Sequence, residues 1–150
     1  MSLSFREISS SDFSDCADIL MAAYEGEPWN NHWTKEEALL RIESTMSGFN
    51  ARGYVAVKHD EIVAMCLGRI DYYYNNWSQY CMDEFNVKPT LQGLGIGRSL
   101  LKYVSQTMKN NQVARLFLLT GGKQAANFYQ QCGFSQTLEG SMMAYDLVKQ

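Results

Sequence analysis

The spacing of apolar side chains near the start of the chain predicts a strand followed by a helix. Residues 4–8 alternate weakly between apolar and polar side chains, which is typical of a strand that opens a sheet. Ser11 and Asp12 come next, and either side chain can cap the start of a helix. The apolar residues that follow recur at helical spacing: Phe13, Cys16, Ala17, Leu20 and Met21.

A loop and a second helix are expected next. Residues 26–33 contain Pro28 and several asparagines, which suit a loop. Thr34 and Glu37 have the spacing of a capping box, so a helix is predicted over about 35–46. Its inward-facing side chains are predicted to be Leu39, Ile42 and Met46.

The middle of the chain predicts strands. Residues 54–57 and 62–71 are rich in β-forming side chains and flank a polar turn at 59–61, which indicates a hairpin. Residues 80–87 predict another strand. It should end at Pro89, because proline has no N–H group to give to the sheet.

The last third alternates helices and strands. Glycine-rich residues 93–97 lead into a helix, and the apolar run 114–119 is typical of a strand buried on both faces. A helix over 123–131 with Gly133 as its cap is followed by a final strand over 142–148. These elements predict a mixed sheet with helices on its faces. The apolar residues of the first of these helices are Leu100, Leu101, Val104 and Met108.

Composition narrows the class of protein. The 150 residues are 46% hydrophobic and 19% charged, without repeats or linkers, so one globular domain over residues 1–150 is expected. A net charge of −3 with scattered basic residues argues against a nucleic-acid partner. No apolar stretch approaches the roughly 20 residues that span a bilayer, and no signal peptide is evident. A cytoplasmic location without a membrane partner is therefore expected.

The four cysteines predict neither a disulfide framework nor a metal site. They are widely separated, without a C-x-x-C pair or a neighbouring cluster of histidines. We expect buried, reduced thiols and no bound metal. The cysteines are Cys16, Cys66, Cys81 and Cys132.

Residues 92–99 read Gln-Gly-Leu-Gly-Ile-Gly-Arg-Ser between a predicted strand and a predicted helix. Glycines let the backbone approach a ligand, and a helix start offers unpaired N–H groups, so this turn suits a phosphate or pyrophosphate. A Walker loop is excluded because Arg98 stands where that motif has lysine. A dinucleotide fingerprint is excluded because Arg98 and Leu100 stand where glycine or alanine is required. A glycine cluster alone also fits an ordinary tight turn.

Two spaced motifs resemble one family. The pattern Q-x-x-G-x-G, after a strand ending in Val-x-Pro, resembles the acetyl-CoA loop of the GCN5-related N-acetyltransferase (GNAT) family. Residues 125–134, Ala-Ala-Asn-Phe-Tyr-Gln-Gln-Cys-Gly-Phe, resemble the same family's A-x-x-F-Y-x-x-x-G-F segment at the expected distance. With Glu-Phe-Asn-Val at 84–87, the resemblance covers about 80–134, whereas the first seventy residues agree only in element order.

The resemblance implies an α/β fold with a central mixed, mostly antiparallel sheet of six to seven strands and about four helices. In the family fold, the strand before the glycine loop and the strand after the following helix splay apart, and the co-substrate acetyl-CoA lies between them. One departure is Gly122, which stands where the family often has an asparagine that contacts the pantetheine arm, and Asn127 is the candidate to replace that contact. The residues assigned to acetyl-CoA are Phe85, Val87, Gln92, Gly93, Leu94, Gly95, Ile96, Gly97, Arg98, Ser99, Asn127 and Tyr129.

The resemblance also implies a general base. Glu84 occupies the place where the family frequently has one, acting directly or through water. Because strand side chains alternate, Asp83 and Glu84 should point to opposite faces, and a bulge would exchange them, which keeps Asp83 as the second candidate. Ordinary carboxylates at a sheet end, solvated or ion-paired, are an equal alternative.

Two further groups are assigned to the thioester. Tyr129 is assigned as the hydrogen-bond donor to the departing thiolate, and Phe128 to the core. A backbone N–H near Phe85 or Val87 would stabilise the oxyanion.

The acceptor is predicted from side-chain types. Aromatic residues and carboxylates occur in segments that face the acceptor in this family, which suits a cationic, ring-bearing or polyamine substrate. Aromatics that merely cover the core are the alternative. His32 could line the same pocket, whereas His59 is expected in a turn. The acceptor residues would be Tyr24, Trp29, Trp33, Tyr72 to Tyr74, Glu25, Glu27 and Asp71.

The expected function is an acetyl-CoA-dependent N-acetyltransferase that acts on a primary amine of a small cationic molecule by direct attack on the thioester. A peptide or protein amine is the second choice within the same reaction class. A catalytically idle acyl-CoA-binding module is the alternative from a different class. Association into a homodimer is left open.

Overall fold

The computed structural model describes residues 2–148, and the chain divides into two units, Met1–Leu119 and Thr120–Gln150. The described elements are β1 (Leu3–Glu7), α1 (Phe13–Glu25), α2 (Lys35–Thr45), β2 (Ala51–Lys58), β3 (Glu61–Tyr72), β4 (Ser78–Val87), α3 (Ile96–Asn110), β5 (Arg115–Leu118) and, in the second unit, α4 (Lys123–Gln131).

The sheet has the strand order β1-β2-β3-β4-β5. The first three pairings are antiparallel and the last is parallel. β4 pairs with β3 from Ser78 to Val87, whereas only residues 79–82 of β4 lie opposite 115–118 of β5. The predicted α/β fold with a mixed, mostly antiparallel sheet is confirmed, although the described residues contain five strands rather than six to seven.

Helices lie on both faces of this sheet. Tyr54 packs against Tyr103 of α3 at a ring distance of 5.9 Å, whereas Val55 belongs to a core that contains Leu20 of α1 and Ile42 of α2. Neighbouring residues of a strand point to opposite faces, so α3 covers one face and the first two helices cover the other.

Local signals explain three of the element boundaries. The capping box of α2 is formed, with Thr34 N–H donating to Glu37 Oε1 at 2.8 Å and Glu37 N–H to Thr34 Oγ1 at 3.1 Å. His59 and Asp60 take positive φ angles of 52° and 63° in the predicted hairpin turn. In the second unit, Gly133 follows α4 with a φ of 100°, as expected of a helix cap.

Two expectations about strands are wrong. The residues of β5, which pairs with β4, are half-buried rather than buried on both faces. Residues 142–148 form no strand, although their composition favours one. A strand requires a hydrogen-bonded neighbour, and no strand pairing is present among residues 120–148.

All four cysteines are free thiols. Burial raises the pKa of the Cys16 and Cys66 thiols to about 12, and that of Cys81 to about 11. Cys132 is half-buried, so the expectation of burial is confirmed for three of the four. Within residues 2–148, no group of three or more His, Cys, Asp or Glu side chains is arranged to hold a metal. No helix in this range is long and apolar enough to cross a membrane.

Candidate active site

A β-bulge interrupts β4 where its pairing with β5 ends. Leu67 of β3 lies opposite Glu84 and Gly68 opposite Met82, so Asp83 is the extra residue. Gly68 permits a close approach here, because a Cβ atom at this position would lie 2.1 Å from a backbone oxygen of β4. The bulge therefore requires a residue without a Cβ atom at position 68.

The bulge places both candidate carboxylates on one face of the sheet. Glu84 lies opposite Leu67, and Asp83 pairs with Arg69, two residues further along β3 and on the same face as Leu67. Arg69 Nη1 donates to both carboxylate oxygens of Asp83, at 2.9 and 3.0 Å. The expectation that Asp83 and Glu84 point to opposite faces is wrong, because the inserted residue breaks the alternation.

The Glu84 carboxylate is buried, with 6% of the residue exposed, and three side chains donate to it. Oε1 accepts from the Tyr24 hydroxyl at 2.8 Å and from Asn86 Nδ2 at 3.2 Å. Oε2 accepts from Arg41 Nε at 2.9 Å, and Arg41 Nη2 also donates to the Asp83 backbone oxygen at 3.3 Å. A buried charge requires such partners, so this site is built around an anion.

Tyr24 joins this carboxylate to an aromatic cluster. Its ring lies 5.7 Å from that of Trp29 and 5.9 Å from that of Trp33. Burial, reinforced by the charge of Glu84, raises the pKa of the Tyr24 phenol, which therefore stays a hydrogen-bond donor. His32 lines a small pocket of about 190 Å³ beside Trp33, together with Asn31 and Glu37.

The other predicted acceptor aromatics lie elsewhere. Tyr72 is the last residue of β3, five positions beyond Leu67, which corresponds to roughly 16 Å along the strand. Tyr73 and Tyr74 follow in the turn before β4. Only Tyr24, Trp29 and Trp33 of the six predicted aromatics therefore gather near Glu84. His59 lies in the β2–β3 turn, as expected.

Two glycines of the loop adopt a left-handed backbone conformation. Gly93 and Gly95 have φ angles of 82° and 84°, and the space where a Cβ would stand is open at both. Gly95 is the N-cap of α3, so the N–H groups of the first helical turn point out of the helix end without a side-chain cap. The side chains of Arg98 and Ser99 are exposed there.

The remaining predicted residues lie on β4 and α4. Phe85 and Val87 are half-buried on the face of β4 opposite Glu84. In the second unit, Tyr129 contacts Phe128 and Phe134 with ring distances of 5.2 and 5.4 Å. Asn127 is exposed on the same helix.

Comparison with known proteins decides the family. The model of the Acetyltransferase (GNAT) family matches residues 13–134. The chain belongs to the GNAT family. No curated protein matches this GNAT chain in sequence. The predicted resemblance is thereby confirmed, and with it an N-acetyltransferase whose family uses acetyl-CoA as co-substrate.

Solved structures share this GNAT fold at low sequence identity. A possible acetyltransferase from Clostridium difficile 630 is 13% identical with a TM-score of 0.84, covering 99% of this chain and 100% of its own. An acetyltransferase from Trypanosoma brucei is 19% identical with a TM-score of 0.72, over 97% and 100%. A metagenomic aminoglycoside acetyltransferase, solved in complex with sisomicin, is 16% identical with a TM-score of 0.75, over 97% of both chains.

Sequence reasoning missed the partners of the Glu84 carboxylate in this GNAT chain. Asn86 was detectable, because it follows two positions later on the same strand and so shares its face. Arg41 carried no signal, because it lies 43 positions away on another element and looks like any polar residue of a surface helix. Tyr24 was predicted for the acceptor, not for a hydrogen bond to Glu84.

Proposed function

We propose that the chain transfers the acetyl group of acetyl-CoA to a primary amine of a small cationic molecule, by direct attack of the amine on the thioester. The observation that carries this proposal is the buried Glu84 carboxylate, which accepts hydrogen bonds from Tyr24, Asn86 and Arg41 where β4 leaves β5. An amine with a pKa of ~10.4 is only about one part in 2,500 neutral at pH 7, a handicap of roughly 4.6 kcal/mol. A fixed carboxylate can relieve that handicap by accepting a proton.

The loop before α3 fits acetyl-CoA. Its two positive-φ glycines leave room for a ligand close to the backbone, and the exposed helix start suits a pyrophosphate. Gln92 to Ser99 would hold the nucleotide end. Phe85 and Val87 would contact the arm. Asn127, in the second unit, is assigned to acetyl-CoA from the family motif alone. Acetyl-CoA supplies an activated acyl group, so no covalent enzyme intermediate is needed.

The amine loses two protons during the transfer, and Glu84 accepts the first of them. Glu84 takes one proton from the bound ammonium, directly or through water, which frees the nitrogen lone pair for the carbonyl carbon. A backbone N–H near Phe85 or Val87 stabilises the oxyanion. As the new C–N bond replaces the C–S bond, the nitrogen loses its second proton to solvent water. Tyr129 donates a hydrogen bond to the departing thiolate, which leaves as the anion.

The aromatic cluster around Tyr24 favours a cationic acceptor. Trp29, with 40% of its surface exposed, and Trp33 offer ring faces to a cation, and the carboxylates Glu25 and Glu27 are exposed on the adjoining turn. A panel of polyamines, aminosugars and lysine-containing peptides, assayed by thiol release, tests the proposal. Turnover of peptides alone would favour a peptide acceptor. Acetyl-CoA binding without thiol release from any amine would favour the idle module.

Trp29→Ala is expected to raise the acceptor KM by roughly 2- to 30-fold with little change in the KM for acetyl-CoA, because a cation–π contact contributes about 0.5–2 kcal/mol. Steady-state kinetics with the best amine measures it. Trp77→Ala is the matched control, since Trp77 is similarly exposed at 38% but lies at the distant β3–β4 turn. An equal effect in both variants would remove Trp29 from the acceptor site.

Tyr129→Phe is expected to lower kcat by roughly 100-fold or somewhat less, while fold and acetyl-CoA binding persist. The thiolate leaving group, with a pKa of ~8.5 against ~10 for tyrosine, needs only a hydrogen bond, so the effect falls at the low end. Tyr145→Phe, an exposed tyrosine of the same unit, is the control. An unchanged kcat would assign thiolate protonation to water or another group.

We also propose that both units act as one catalytic domain in the cytoplasm. The family match, which runs from residue 13 to residue 134, spans both units and supports one domain. The four free thiols are consistent with a reducing compartment.

A further inference from the structure

The two carboxylate oxygens of Glu84 differ in the number of hydrogen bonds that they accept. Each carboxylate oxygen offers two lone pairs. Both lone pairs of Oε1 are used, by Tyr24 and by Asn86. Among residues 2–148, one side chain, that of Arg41, donates to Oε2, through Nε. The lone pair that remains to accept a proton is therefore on Oε2, the oxygen that Arg41 holds.

We propose that Arg41 is a positioning residue for acetyl transfer, which fixes Oε2 of Glu84 as the proton-accepting oxygen and sets the direction of its remaining lone pair. This inference rests on the proposed role of Glu84 as the base. In the step concerned, one proton leaves the acceptor ammonium for Oε2, directly or through one water. The nitrogen keeps the electron pair of the broken N–H bond and uses it for attack.

Arg41 is suited to this task by its second contact. A guanidinium is a planar fork with fixed directions between its N–H groups. Nε holds Oε2 of Glu84 while Nη2 donates to the backbone oxygen of Asp83, the extra residue of the bulge. One side chain of α2 therefore fixes both the orientation of the Glu84 carboxylate and the position of the backbone at the preceding residue, Asp83. Lysine carries the same charge but lacks the fixed fork.

The Arg6–Asp12 pair provides a matched control. Arg6 and Arg41 have side chains that are 49% and 38% exposed, and their carboxylate partners are 9% and 5% exposed. Both pairs join an arginine to a nearly buried carboxylate, at 2.7 and 2.9 Å. Arg6→Met and Arg41→Met should therefore lower the thermal unfolding temperature by similar amounts. Of these two arginines, Arg41 contacts the proposed base and Arg6 does not.

The kinetic test compares wild type, Arg41→Met, Arg41→Lys and Arg6→Met with the best amine. We expect kcat to fall roughly 10- to 100-fold in Arg41→Met, because misplacing a reacting group by about 1 Å costs up to that much. The KM for acetyl-CoA should stay within about twofold, Arg41→Lys should be intermediate, and Arg6→Met should keep the wild-type kcat. A wild-type kcat in Arg41→Met, or an equal loss in Arg6→Met, would overturn the proposal.

Crystal structures of wild type and Arg41→Met provide the second readout, which does not depend on activity. We expect the Glu84 carboxylate of the variant to rotate or to occupy two conformers, while Tyr24 keeps its place. A carboxylate that stays in one unchanged conformer would contradict a positioning role. If wild type releases no thiol with any amine, the proposed function fails, and the two crystal structures still decide whether Arg41 orients Oε2.

Discussion

Glu84→Gln is expected to lower turnover at pH 7 by roughly 10²- to 10⁴-fold, the usual contribution of a general base. The amide cannot take up a proton, and its NH₂ group cannot accept the bond from Arg41 that Oε2 accepts now. The deficit should shrink as the pH approaches the pKa of the acceptor amine, because the amine then loses its proton to solvent. Profiles of kcat/KM from pH 6 to about 10.5 measure this convergence.

The variant Asp83→Asn distinguishes the role of Asp83 from that of Glu84. Asp83 is paired with Arg69 on the outer part of the site, so its amide variant should retain most of the turnover and the wild-type pH profile. A large loss in Asp83→Asn combined with a wild-type profile in Glu84→Gln would move the base to Asp83. Thermal unfolding of both variants shows how much of any loss comes from weakened folding.

Gly95→Asp is expected to reduce acetyl-CoA affinity by at least roughly 100-fold in calorimetry. A carboxylate at the start of α3 would repel a pyrophosphate, and like charges brought together cost several kcal/mol, where each 1.4 kcal/mol is about tenfold. Folding should survive, because a Cβ at Gly95 meets no atom within 4 Å and aspartate tolerates a positive φ better than most residues.

Gly95→Asn is the matched control, since asparagine has nearly the same size and the same tolerance for a positive φ without the charge. Its affinity should fall much less than that of Gly95→Asp. Equal losses in the two variants would indicate that the size of the added side chain, not its charge, lowers the affinity for acetyl-CoA. A folded Gly95→Asp protein that binds acetyl-CoA like wild type would remove the loop from the cofactor site.

The elements were predictable where a local pattern determines them. The capping box of Thr34 and Glu37 set the start of α2, and the apolar spacing of Leu100 to Met108 set the buried face of α3. Two spaced motifs were specific enough to predict the family, which the match over residues 13–134 confirms. The failed strand at 142–148 had a favourable composition, but strand formation depends on a partner that composition does not reveal.

The environment of Glu84 was not predictable in the same way. The bulge depends on how β3 and β4 align across Gly68, and register is a property of two strands together. The contacts of Tyr24 and Arg41 join residues 60 and 43 positions apart, which no local period connects. The sequence therefore indicated which carboxylate to test but not what holds it.

The buried cysteines determine how released coenzyme A can be measured. With a pKa of about 11, only about one part in 1,000 of the Cys81 thiol is thiolate at pH 8, and the thiolate is the form that attacks a disulfide reagent. Cys16 and Cys66, whose pKa values are about 12, are less reactive still. A chromogenic disulfide added during turnover therefore reports coenzyme A above a background set by half-buried Cys132, which a blank without acceptor subtracts.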